Sequence, residues 1–182
     1  EEFDTSSPQS FYAATKKSNE VIAYSYSNIH KIKTTGLRFF TVYGPYGRPD
    51  MALFKFTKLI SENKKIDLFN RGVHKRDFTY IDDVVDAVEK IIKKPSKKLV
   101  PFQIFNIGSD KPQKLTIFLE KIEKYLGMSA KVSLKKLQAG DVVMTHADIS
   151  KLKKETNYKP SFNITDGIKN FILWYKEYYS KK

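Results

Sequence analysis

Thr35-Gly36-Leu37-Arg38-Phe39-Phe40-Thr41-Val42-Tyr43-Gly44-Pro45 is the stretch on which the fold turns. It is rich in β-branched and aromatic residues and closes on a Gly-Pro turn signal, so it predicts one buried strand, Thr35 to Tyr43, opening into a loop. In a sheet flanked by helices, ligands bind beyond the C-terminal ends of the strands. The loop from Thr41 to Asp50 is therefore the expected place for a ligand.

Working outward, Ser7-Pro8 reads as an N-cap followed by proline at the first helical position, with helix from Gln9 to about His30. On the other side, a helical pattern runs from about Ala52 to Asn63. Strands follow at Ile66 to Phe69 and Arg76 to Ile81, with Asn70-Arg71-Gly72 as the turn between them. Asp82 is placed to cap a helix from Val84 to Lys94, and Phe102 to Ile107 reads as another buried strand ending at Gly108. Leu115, Phe118, Leu119, Ile122 and Leu126 form a helical stripe with Gly127 at its C-terminal stop, and Ile164, Ile168, Phe171, Ile172 and Tyr175 form a last one. Such stripes are core. The alternation of helix and strand gives an α/β fold with a largely parallel sheet.

Composition narrows the function. There is no cysteine among the 182 residues, and His30, His74 and His146 lack ligand spacing, so metal-free chemistry is expected. The net charge of +13 comes from lysines scattered over every segment, with no basic stripe interleaved with aromatics, which argues against a nucleic-acid partner. No apolar run is long enough to span a bilayer and no signal segment appears, so a cytoplasmic protein without a membrane partner is expected. The chain opens on Glu1 and reaches a helix signal within ten residues, as if it began inside a larger protein. Only Arg38, Arg48, Arg71 and Arg76 are arginines among 33 basic residues, which singles them out, because a planar fork binds carboxylate or phosphate as lysine cannot.

Tyr12 and Lys16 lie four residues apart on one helix face, where an ammonium can stabilise a phenolate and make tyrosine a usable base. Spacing alone is weak evidence: with 11 tyrosines in a lysine-rich chain, about two such pairs arise by chance, and Tyr178 with Lys182 is one. The setting separates the first pair, which has a Ser-Pro start before it, Ala13 and Ala14 inside it, and a buried strand after it.

In that setting Ser7 to Lys16 resembles the YxxxK helix of extended short-chain dehydrogenase/reductases. Leu37 to Ala52, with its Gly47-Arg48-Pro49-Asp50-Met51 segment, is similar to the substrate loop of UDP-glucuronate 4-epimerases. Lys75 to Asp83, Phe105-Asn106-Ile107-Gly108 and Gln138-Ala139-Gly140-Asp141-Val142 follow in the order that family shows.

The resemblance implies the C-terminal portion of a Rossmann-type enzyme plus a smaller α/β substrate-binding domain. Residues 1–50 would end the cofactor domain, 51–182 would be mainly substrate-binding, and 84–108 would return a helix and strand to the cofactor domain. It implies NAD as cofactor, with Tyr12, Lys16 and Phe40 near it and Tyr12 taking the proton from the sugar 4-hydroxyl. Thr41 and Arg48 are implied for the uronate carboxylate, with Met51 beside them. Arg76 is implied for the UDP diphosphate, Asp141 for the uridine ribose, Phe69 for the uracil, and Gln138 stands where some relatives carry arginine. Open alternatives are a solvated Arg48, a Thr41 that is simply a strand residue, an Arg76 paired with a carboxylate, an Asp141 that caps a helix, and a core Phe69. Arg38 reads as structural and Arg71 as a solvated turn.

No glycine-rich turn for a pyrophosphate occurs in the chain, so the NAD site is incomplete and the 182 residues alone are expected to be inactive. Exposed apolar faces and a homodimer through the Tyr12 helix are expected. Rival functions are a UDP-glucuronate decarboxylase, a UDP-hexose or UDP-N-acetylhexosamine epimerase and, in another class, a non-catalytic UDP-binding or interaction module.

Overall fold

The computed structural model describes residues 5–138 and 140–180, so Glu1, Ala139 and Lys182 of the motifs above lie outside the described residues. In chain order the elements are α1 (Phe11–His30), β1 (Thr34–Phe39), β2 (Thr41–Tyr43), α2 (Ala52–Ser61), β3 (Lys65–Leu68), a 3-10 turn (Phe69–Gly72), β4 (Lys75–Arg76) and β5 (Phe78–Tyr80). There follow α3 (Ile81–Ile92), β6 (Phe102–Ile107), β7 (Gln113–Lys114), α4 (Leu115–Leu126), β8 (Lys131–Leu134), α5 (Ser150–Thr156) and α6 (Ile164–Ser180). The fold is α/β.

The run expected as one strand is two. β1 pairs in parallel with β6, Phe39 opposite Ile107, whereas β2 pairs in parallel with β5, Thr41 opposite Phe78. Phe40 is the joint: its amide donates to the Ile107 carbonyl at 3.1 Å, and the next amide, Thr41, donates to the Asp77 carbonyl at 3.1 Å. Intrinsic preference is continuous through this segment, and the change of partner that divides it is tertiary. The same division separates β4 from β5. Among the described residues the strands form two-stranded ladders, three parallel and one, β4 with β7, antiparallel.

Two helix starts differ from expectation. α1 is capped by Ser10, whose hydroxyl accepts from the Ala13 amide at 3.1 Å, so Ser7 and Pro8 precede the helix rather than open it. α3 begins at Ile81 without a side-chain cap, and Asp82 and Asp83 occupy its first turn, where the helix dipole favours negative charge. Asp83 is buried and accepts from the Ser161 amide (2.8 Å), the Ser161 hydroxyl (2.9 Å) and the Phe162 amide (3.1 Å), which fixes α3 to the chain entering α6. β7, β8 and α5 are short or polar and carry no periodic signal long enough to be read.

Packing produces two apolar cores. One gathers Tyr43, Phe54, Phe78, Phe118 and Phe171 from β2, α2, β5, α4 and α6, with the Phe78 and Phe118 rings stacked at 4.1 Å. The other gathers Ala87 and Ile91 of α3, Phe105 and Ile107 of β6, and Ile149, Leu152 and Tyr158 from α5 and its flanks. α1 buries only Ser27 and leaves Val21, Ile22, Tyr26 and Ile29 exposed, as expected of apolar faces lacking a cover. Among the described residues no helix is long and apolar enough to cross a membrane.

Candidate functional site

The loop after β2 is built by its glycines. Gly44 has φ +144°, and a Cβ there would meet Ile81 Cγ2 at 2.6 Å, so only glycine lets the chain leave β2 against α3. Two tight turns follow, closed by Gly47 N–H to the Gly44 carbonyl (3.2 Å) and Met51 N–H to the Arg48 carbonyl (3.1 Å). They bring Thr41, Arg48 and Met51 to one cleft. The Arg48 guanidinium is largely exposed and forks onto Asp50, Nε to Oδ1 at 3.1 Å and Nη2 to Oδ2 at 2.6 Å. That hydrogen bond, slightly offset by desolvation, holds the Asp50 carboxyl below its ordinary range. An exposed pair of this kind contributes little, so Arg48 can exchange Asp50 for another carboxylate at small cost.

A second cluster forms where three segments meet. β3 pairs with β8, and the Arg71 amide donates to the Lys135 carbonyl at 3.2 Å, which ties the half-buried Phe69 turn to the chain leading to Gln138. β4 then runs beside that chain, Lys75 N–H to the Val143 carbonyl at 3.0 Å and Thr145 N–H to the Lys75 carbonyl at 3.1 Å. Gln138 is exposed, and its carbonyl accepts from the Asp141 amide at 3.2 Å. Arg76 Nη2 donates to Asp141 Oδ1 at 2.8 Å, while its Nη1 donates to the carbonyls of Lys75 (3.1 Å) and Val143 (3.3 Å). The ion pair held open as an alternative for Arg76 is thus present, and its carboxylate partner is Asp141. Asp141 caps no helix among the described residues.

Tyr12 and Lys16 lie in a separate open groove with Ser7, Glu20 and Arg38. The Lys16 ammonium sits 5.4 Å from the Tyr12 ring centroid, and Tyr12 is 70% exposed. Arg38 binds Glu20 through both forks, Nε to Oε1 at 2.6 Å and Nη2 to Oε2 at 2.9 Å, and so ties β1 to α1 in a structural role. Phe40 is partly buried against the second core. The groove presents Tyr12 and Lys16 without Phe40, and an exposed surface on α1 in a chain without a glycine-rich turn offers no cradle for a dinucleotide's pyrophosphate.

Asp77 and His74 are among the buried polar residues that received no role in the sequence. Asp77 is fully buried and accepts from the Ser109 amide (2.7 Å), the Ser109 hydroxyl (2.8 Å), the Asp110 amide (3.1 Å) and the Ala147 amide (3.0 Å). This carboxylate draws the loop after β6 and the chain beyond Thr145 onto β5, and so fixes the backbone around the Arg76 cluster. Gly108 permits the approach, because a methyl there would overlap the Ala147 side chain. The other is His74, 3% exposed, beside Asp141. The adjacency of Asp77 to Arg76 was the available signal for the first; nothing in the sequence marked the second.

Residues 1–108 match the model of the NAD dependent epimerase/dehydratase family. Protein CapI of Staphylococcus aureus is 47% identical over 96% of this chain and 56% of its own length, and UDP-glucuronate 4-epimerase 4 of Arabidopsis thaliana is 46% identical over 97% and 43%. Among solved structures, UDP-glucuronic acid 4-epimerase from Bacillus cereus in complex with UDP-glucuronic acid and NAD superposes with a TM-score of 0.87 at 34% identity, covering 95% of this chain and 55% of that one. The chain spans about half the length of the curated relatives it matches.

Proposed function

Because the chain belongs to the NAD dependent epimerase/dehydratase family, we propose that it carries the UDP-sugar side and the Tyr-Lys pair of a UDP-glucuronate 4-epimerase. What supports this most is one juxtaposition: the Thr41 amide bonds the carbonyl of Asp77, the neighbour of Arg76, so the segment that lines the Arg48 cleft is tied to the backbone next to the Arg76-Asp141 pair. A UDP-uronate has anionic groups at two places, and two separate arginines suit it.

In this proposal Arg76 holds the diphosphate, Asp141 the ribose hydroxyls and Phe69 the uracil face, with Gln138 alongside. Arg48 and Thr41 hold the sugar carboxylate, and Met51 packs the cleft between them. Tyr12, Lys16 and Phe40 would hold part of NAD, which when bound would take a hydride from C4 and return it. Tyr12 removes the 4-hydroxyl proton and returns it, and the Lys16 cation favours the phenolate. A 4-keto uronate is a β-keto acid that loses CO₂ readily, so pinning its carboxylate also protects the sugar. Residues 1–50 and 84–108 serve the cofactor side, joined by 147–158, whose Ile149, Leu152 and Tyr158 share the core of α3 and β6. The rest of 51–182 serves the substrate. Two copies pair through the exposed face of α1.

NMR of UDP-glucuronate incubated with NAD⁺ and the complete enzyme tests the chemistry. UDP-galacturonate is the expected product; a UDP-pentose would instead assign decarboxylation, and no turnover of the uronate would refute both.

A further inference from the structure

We propose that His74 is a positioning residue for nucleotide binding, taking hold of Asp141 when Arg76 leaves that carboxylate for a diphosphate. This rests on the assignment of Arg76 to the diphosphate. His74 is 3% exposed, and its Nε2 has no hydrogen-bond partner among the described residues. That nitrogen lies 3.3 Å from Asp141 Oδ2, outside hydrogen-bonding geometry, while Asp141 Oδ1 is occupied by Arg76 Nη2 at 2.8 Å. A polar atom without a hydrogen bond in so buried a place is costly and calls for a use.

Arg76 Nη1 is engaged with the Lys75 and Val143 carbonyls and Nη2 with Asp141, so a diphosphate that takes Nη2 competes with Asp141 for it. When Nη2 turns to a phosphate, Asp141 is left as a bare anion close to another anion. A small rotation of its carboxylate closes the gap to His74, whose N–H then fixes Oδ2 and leaves the remaining lone pairs for ligand hydroxyls. The buried imidazole is thus satisfied only in the nucleotide-bound arrangement, which couples the two.

Calorimetric titration with UDP, alongside thermal unfolding, tests this in the unmodified chain and in Arg76→Ala, His74→Met and His74→Gln. Methionine fills the buried volume without a donor; glutamine restores one. His74→Met is expected to melt no lower than the parent yet lose about tenfold in UDP affinity, with His74→Gln recovering most of it. Parent-like UDP binding by His74→Met, or a loss that His74→Gln does not recover, overturns the proposal. If Arg76→Ala loses UDP binding while His74→Met keeps it, only the His74 role falls; if Arg76→Ala binds UDP normally, the nucleotide assignment falls as well. A measurement independent of variant folding is the ¹⁵N spectrum of the imidazoles, of which the chain has three. Saturating UDP must move the His74 Nε2 resonance to a hydrogen-bonded position, and an unmoved resonance is equally fatal.

Discussion

At the scale of single residues, the adjacent pair Arg76-Asp77 divides its labour at the junction of β4 and β5. Arg76 reaches Asp141 at the surface cluster, whereas Asp77 turns fully inward. The motif was legible in the sequence, but the division was not, because both residues are charged and only packing says which is buried. Asp77→Ala would strand three backbone amides in the interior, and we predict a loss of at least about 3 kcal/mol in denaturant unfolding, at about 1–3 kcal/mol for each buried group left unpaired. Glu20 offers a pH test. The hydrogen bond from Arg38, opposed by partial burial, holds its carboxyl below the ordinary carboxylate range. A depressed carboxyl stabilises the fold above its unfolded-state pKa and ceases to do so as pH falls through the folded value. The melting-temperature gap between the parent and Glu20→Gln is therefore expected to be full near neutrality and to close below about pH 4. A gap that widened on acidification would refute the role given to Arg38.

At the scale of elements, long periodic helices and the strand Phe102–Ile107 were readable because burial repeats along them, whereas β7, β8 and α5 owe their form to neighbours. The Thr35–Tyr43 run shows the same limit, since its hydrophobic pattern gave no hint of the partner change at Phe40 that orients Thr41 toward the cleft. The loop that leaves β2 at Gly44 was legible in position; the Arg48-Asp50 fork was not, being a contact between two exposed charges. α1 is the element least satisfied by its surroundings. With Val21, Ile22 and Ile29 each more than half exposed, sedimentation of the chain should show reversible association. Val21→Lys with Ile29→Lys is expected to shift it toward monomer without lowering the melting temperature, and association unchanged by that pair would place the contact elsewhere.

At the scale of the whole molecule, the two cores differ in what they serve. The core around Phe78, Phe118 and Phe171 underlies the Arg48 cleft, whereas the core of α3 and β6 lies beside the strand that follows the Tyr12 helix. Since the 182 residues contain no glycine-rich turn, NAD⁺ should bind them weakly, and a fluorescence titration giving micromolar or tighter affinity would contradict that. The UDP contacts proposed above, by contrast, all come from residues of this chain. Calorimetry of the chain with UDP-glucuronate and with UDP-glucose, for the parent and Arg48→Ala, therefore bears most directly on the central claim that a uronate site lies beside the Arg76 cluster. The parent should prefer UDP-glucuronate by about tenfold, as one charge-assisted contact gives, with Arg48→Ala erasing the preference while keeping affinity for UDP-glucose. Equal binding of the two sugars by the parent would contradict it.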